Sequence, residues 1–254
     1  MLLIDHPVAA FSVCFPAMWL AAHAGAYLRR RSTTPHEDEL TELGIVLGAA
    51  LTLLGLLIGF TFSMAVSRYD QRKNYEEAEA NAIGTEYVRA GLLPAGDAAR
   101  VRALLKSYLD ERVLFYSAPP DTPLEQINAA TLRLQDELWS AVQTPAATDR
   151  SAVMALAVAG MNDVLNSQGY TQASWWNRIP VEAWMLMLAI GMSCNLLFGF
   201  GSRATQRGHR HLLALPVIVA FSFTLIADME SPRGGLIRVQ PQNLLALASS
   251  LRTG

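Results

Sequence analysis

Asp228 and Glu230 close an apolar run and stand directly before the turn Ser231-Pro232-Arg233-Gly234-Gly235. Two carboxylates beside turn carbonyls supply the hard oxygen donors that a cation such as Ca²⁺ takes. The same residues also read as a solvated helix terminus. Acids at a helix C-terminus oppose its dipole, so the pair calls for a compensating partner, which is Arg233, Arg238 or an ion. Few other side chains carry chemistry. His209 and His211 share a short basic connection, where they read as solvated residues or as pH-sensing ones, while His6, His23 and His36 are scattered. His23, near the end of an apolar run, can reach an interface or hydrogen-bond another helix. Cys14 and Cys194 both sit in apolar stretches, with no metal-ligand spacing and no disulfide framework. No nucleophile motif or phosphate loop is present, which points away from an enzyme. Beyond a cation near Asp228, no cofactor is implied.

A second set of candidates lies in Leu43–Val66, a segment without an ionisable residue. Leu56, Phe60 and Ser63 fall on one stripe of a helix. A ring of Leu and Phe from several copies would be an apolar constriction able to gate by dewetting. The pairs Gly44/Gly48 and Gly55/Gly59 have small-xxx-small spacing, which lets helix backbones approach in lipid, so close helix packing is the competing reading. Just beyond, Arg68 and Asp70 either anchor the helix where it leaves lipid or form a ring of charge at a pore mouth.

These side chains need elements to hold them. Of 254 residues 52% are hydrophobic and 17% charged, against roughly 25% charged in an average soluble domain. The net charge of −2 shows no basic excess that would suggest nucleic acid. Four stretches are long and apolar enough to span lipid: Pro7–Leu28, Leu43–Val66, Val181–Gly201 and Leu212–Ala227. At 1.5 Å per residue the second reaches about 36 Å, more than the ~30 Å hydrocarbon core. The residues before Pro7 hold no Lys or Arg, whereas Arg29, Arg30 and Arg31 follow the first run. That run therefore reads as a retained helix rather than a cleaved signal. Trp175, Trp176 and Trp184 near the third run read as interfacial aromatics.

Short polar connections, 29–42 and 202–211, join the spans into two hairpins. The region between them reads as helices. Tyr75–Leu93 ends at Pro94. Asp97–Tyr116 puts Val101, Leu104, Leu105, Tyr108, Leu109 and Val113 on one face. Pro119-Pro120 breaks the chain. Thr122, Pro123 and Glu125 form a capping box before a helix carrying Leu124, Ile127, Thr131, Leu134, Leu138 and Val142, and Pro145 stops it. Thr148 caps a further helix that ends near Gly169. The expected fold is an all-α membrane protein with four transmembrane helices in two hairpins and a helical extramembrane domain between them. The divisions are 1–67, 68–178 and 179–230, with 231–254 as a tail packing on the domain.

Gly59-Phe60-Thr61-Phe62-Ser63-Met64-Ala65-Val66-Ser67-Arg68-Tyr69-Asp70-Gln71 resembles the pore-helix stretch of bestrophins. The nearer resemblance is to the bacterial bestrophin-like family of unknown function. It rests on Glu79-Ala80-Asn81-Ala82-Ile83-Gly84-Thr85-Glu86-Tyr87 and on the Asp228–Gly235 turn followed by Leu236-Ile237-Arg238-Val239. The resemblance implies a homo-oligomer, pentameric in bestrophins, in a bacterial inner membrane. The second helix would line an ion pore with Leu56 and Phe60 as its neck. Thr52 comes next along the neck, where an apolar residue is expected. Only Asp228 and Glu230 stand where bestrophins carry an acidic calcium clasp. Bestrophins keep the middle domain in the cytosol, whereas the arginine density of the two short connections favours the opposite orientation. The expected function is an oligomeric ion channel, with lipid, inorganic ions and further copies of the chain as partners. The alternative is a non-conducting scaffold or sensor whose helical domain binds a partner.

Overall fold

The structure, a computed structural model, describes residues 6–32, 37–119, 122–202 and 209–253. His36, Pro120, Arg203 and Arg207 of the connections lie outside the described residues, as do the side chains of His209 and Arg210. Among the described residues the elements are all helical. In chain order they are α1 (Pro7–Arg31), α2 (Glu37–Arg89), α3 (Ala95–Ser117), α4 (Leu124–Thr148), α5 (Ala152–Trp176), α6 (Val181–Gly201), α7 (Ala214–Glu230) and α8 (Gln242–Thr253). Four helical stretches are long and apolar enough to cross a membrane: Pro7–Arg31, Asp38–Leu92, one within Ala152–Gly201, and His211–Glu230. The expected all-α membrane fold is what the chain adopts.

The chain divides into two compact units, Met1–Arg68 with Arg178–Arg238 and Tyr69–Asn177 with Val239–Gly254. In the first unit, α1 and α6 run parallel and meet backbone to backbone. A Cβ added to Gly25 would lie 1.9 Å from the Leu196 carbonyl oxygen, and one added to Gly199 would lie 1.8 Å from that of Ala22. Only glycine fits there. In lipid, such a small-residue contact is what brings two helices together. Arg29 closes the crossing by donating to the carbonyls of Phe200 and Gly201 at 2.9 and 2.8 Å, which places a cation on the negative end of α6. Met18, Leu54, Met187, Cys194, Val219 and Phe223 form the apolar core of this unit. Trp184 lies edge-on to Phe223 within it, and His23 Nδ1 lies 3.0 Å from the Trp19 carbonyl.

In the second unit Val101, Leu105, Tyr108 and Leu109 of α3 meet Leu138, Ala141 and Val142 of α4 and Met154, Ala157, Met161 and Val164 of α5. The helical-spacing faces read from the sequence are the buried ones. The tail joins this core through Leu244 and Ala248 of α8.

Several boundaries differ from expectation. The second span and the helix expected from Tyr75 are one continuous helix of 53 residues, because no Gly-Pro signal separates them. Thr122 is not the N-cap of the fourth helix. The helix α4 begins at Leu124, so Pro123 occupies the cap position and offers no side-chain acceptor. Pro145 lies inside α4, which runs on to Thr148; within the last turn its missing N–H removes little. Ser151, not Thr148, caps α5, its Oγ accepting from the Met154 amide at 3.2 Å. That helix passes through Gly169 to Trp176. Trp175 is not an interfacial aromatic, since it is buried against Phe115 with ring centroids 4.4 Å apart.

The α1–α6 contact makes a direct prediction. Gly199→Val should drive a side chain into the Ala22 backbone and cost about 2 kcal/mol or more. Thermal melting in detergent should show a clear fall, while Gly169→Val, at an open position of α5, should leave the melting temperature unchanged.

Candidate functional site

The helix α2 is the most apolar of the spans, and its own chain covers it least. Of its most apolar stretch 6% is buried, against 28% for Pro7–Arg31 and 50% for His211–Glu230. Its inward face in the first unit is Leu54, Thr61 and Ala65. The outward face carries Thr52, Leu56, Phe60 and Ser63, all exposed, Leu56 at 54% and Phe60 at 63%. The hydroxyl of Thr52 donates to the Gly48 carbonyl at 2.9 Å, so the polar residue at this apolar position satisfies its proton within the helix. Among the described residues the glycine pairs of α2 pack against no other helix. A Cβ built on Gly44, Gly48, Gly55 or Gly59 meets nothing within 4 Å. The close approach inferred from their spacing occurs instead at Gly25 and Gly199.

The charges beyond this face separate. Arg68 donates through Nη1 to Glu230 Oε1 at 2.8 Å, with its side chain 18% exposed, so it does not stand as a free mouth charge. Asp70 is exposed. The Asp228–Gly235 turn is held from within. Both oxygens of Asp228 accept backbone amides, Leu236 at 2.6 Å and Ile237 at 2.9 Å. Besides Arg68, Glu230 Oε1 accepts the Ile179 amide at 2.7 Å. Gly235 is required here, because a Cβ would come within 2.5 Å of the Asp228 carbonyl oxygen. Three of the oxygens that a cation would need already accept hydrogen bonds. Among the described residues no group of three or more His, Cys, Asp or Glu gathers to hold a metal ion. The pair anchors the turn through these hydrogen bonds, and Arg68 answers the unfavourable position of Glu230 at the end of α7.

In the second unit α2 buries charge. Arg72, Glu76, Glu79 and Glu86 are each at most 1% exposed. Glu76 accepts the Asn243 and Leu244 amides at 3.0 Å and Asn243 Nδ2 at 2.7 Å, an anion on the positive end of α8. Glu79 pairs with Arg112 and accepts from Thr171 at 3.2 Å, with the Tyr116 hydroxyl 3.4 Å away. Burial opposes the charge of Arg112, but Glu79, together with Tyr108 and Tyr116, outweighs it and holds the guanidinium protonated. Burial, reinforced by the Glu79 charge, pushes the phenols of Tyr108 and Tyr116 up. The sequence marks Glu79 and Glu86 only as part of a family motif and assigns no buried charge to this face. The signal was there: charges at 72, 76, 79 and 86 recur at the spacing of one helix face.

The family model of the bestrophin-like domain matches residues 13–244. The chain belongs to the bestrophin-like family. Its fold is similar to crystal structures of the bacterial bestrophin homologue from Klebsiella pneumoniae. One, solved by zinc phasing, is 14% identical and has a TM-score of 0.61, the match covering 96% of this chain and 95% of that one. A variant of the same homologue is 14% identical with a TM-score of 0.63, covering 97% of each chain. At that identity the likeness concerns the fold. No curated protein matches the chain. In this bestrophin-like chain, the Glu79–Tyr87 motif alternates two faces. Glu79, Ile83 and Glu86 point inward, while Asn81 and Thr85 are exposed.

The turn anchor is testable as a pair. Glu230→Ala leaves Arg68 and the Ile179 amide without their acceptor and should cost about 3 kcal/mol. Because Arg68 loses its acceptor in that variant, adding Arg68→Ala should cost little more. A double-mutant cycle on melting in detergent checks this, and strictly additive losses would refute the pairing.

Proposed function

We propose that the protein is the subunit of a homo-oligomeric ion channel of the bacterial inner membrane, with α2 lining the pore and Thr52, Leu56, Phe60 and Ser63 forming its neck. One observation carries this reading: the most apolar of the candidate spans is the one its own chain leaves bare, on the face where Leu56 and Phe60 project. A face that only met lipid would have no reason to interleave Thr52, Gly55, Gly59 and Ser63 with its large apolar residues. Around an axis shared by several copies, Leu56 and Phe60 make a dewetting constriction, while the small residues leave room on either side. The resemblance to bestrophins supports the same helix in this role, and five copies as the number. Asp70 then contributes charge to the pathway, whereas Arg68 is neutralised by Glu230. No residue group suggests a covalent step.

Purified protein in planar bilayers tests the proposal. The native oligomer should carry current, and Phe60→Ala should raise single-channel conductance or open probability severalfold by widening and wetting the neck. If a well-folded oligomer passes no current and Phe60→Ala opens none, the scaffold alternative replaces the channel.

A further inference from the structure

Glu76, Glu79 and Glu86 share one buried face of α2, yet only two of them are answered. Glu76 caps α8 and Glu79 holds Arg112. Glu86 is 0% exposed, and neither of its carboxyl oxygens has a hydrogen-bond partner. It occupies a slot that α5 leaves open at Gly160. A Cβ there would lie 2.0 Å from Glu86 Oε2 and 2.6 Å from Arg89 Nη1. The glycine thus admits a carboxyl group and a guanidinium side by side without a hydrogen bond from Arg89 to Glu86. Asp163 is the charged group acting on Glu86 from α5. On α3, Arg102 donates to the Tyr87 carbonyl at 3.2 Å, and both Arg102 and Lys106 lie over the Tyr87 ring.

We propose that Glu86, Gly160 and Arg89 form a proton-operated latch, in which Glu86 lies neutral in the Gly160 slot and its deprotonation repacks the end of α2 against α5. An ionised carboxylate buried without donors is costly, so the uncharged acid is the form that fits. Burial pushes this carboxyl up to about 8, with Arg89 holding it back and Asp163 adding to the rise. When the proton leaves for solvent, the new charge draws the Arg89 guanidinium or water into the slot. The folded chain binds this proton more tightly than the unfolded one. The stability it confers is therefore present at low pH and is lost as pH rises through about 8. That window covers ordinary cellular pH, and Glu86 lies three residues from the end of the helix that carries the neck.

Difference infrared spectroscopy on the detergent-solubilised full chain reads the acid directly. A protonated-carboxyl C=O band should be present near neutral pH, disappear with a midpoint near 8, and be missing in Glu86→Gln. Hydrogen exchange around Gly160, corrected for its intrinsic pH dependence, should quicken over the same range in the native chain and not in Glu86→Gln. Gly160→Ala should evict the carboxyl and bring its midpoint toward the ordinary carboxylate range. A native midpoint near 4.5, or a band that persists in Glu86→Gln, would overturn the latch. The native titration decides the matter even if a variant fails to fold. Neither readout passes through conduction, so the latch stands or falls separately from the channel.

Discussion

Where Gly25 and Gly199 let α1 and α6 touch backbone to backbone, the first unit has already chosen its partners. Lipid supplies no hydrophobic push between helices, so close van der Waals contact and the few available hydrogen bonds must do the associating. The α1–α6 crossing takes both, with Arg29 closing the end of α6 and Asn195 Nδ2 reaching Met18 Sδ and the Gly191 carbonyl. Together with α7 these helices cover one another. The helix α2 offers Leu54, Thr61 and Ala65 to its own unit and keeps the opposite face for something else. The bare apolar face is a consequence of how well the other spans fit.

The same helix obeys a different rule in the second unit. There its inward face carries charge, and each charge is acceptable only to the degree that donors meet it. Glu76 and Glu79 meet helix amides, an arginine and hydroxyls, and their burial fastens α8, α3 and α5 to α2. Glu86 meets none of these. Identical residue types on one face thus divide into fasteners and a titrating group, according to what the facing helix presents.

The spans were legible because long apolar runs have a single physical explanation, and the α3 and α4 faces were legible because their periodicity is strong. The third span, Val181–Gly201, coincides with α6. Local stop signals were less informative. Pro145 and Gly169 read as ends but sit inside helices, because one lost hydrogen bond or one glycine is small beside the packing of α4 and α5. The stripe Leu56–Phe60–Ser63 could be drawn from spacing alone, but its exposure could not, since that depends on which other helices pair. The same limit explains Arg68 and Asp228. Their residue types suggested mouth charges and cation ligands. Only their neighbours, Glu230 and the amides of Leu236 and Ile237, show what these side chains hold within the fold.

The discontinuity of both units bears on how the protein is made. Arg29 grips carbonyls 171 and 172 positions further along, and the core around α3–α5 is completed by Leu244 and Ala248 of α8. As the ribosome works from the N-terminus, α1 and α2 have to sit in the bilayer as independent helices while the intervening helices emerge. The middle helices likewise wait for α8 to close their core. Neither unit can close before its later segment, Arg178–Arg238 for the first and Val239–Gly254 for the second, has been made.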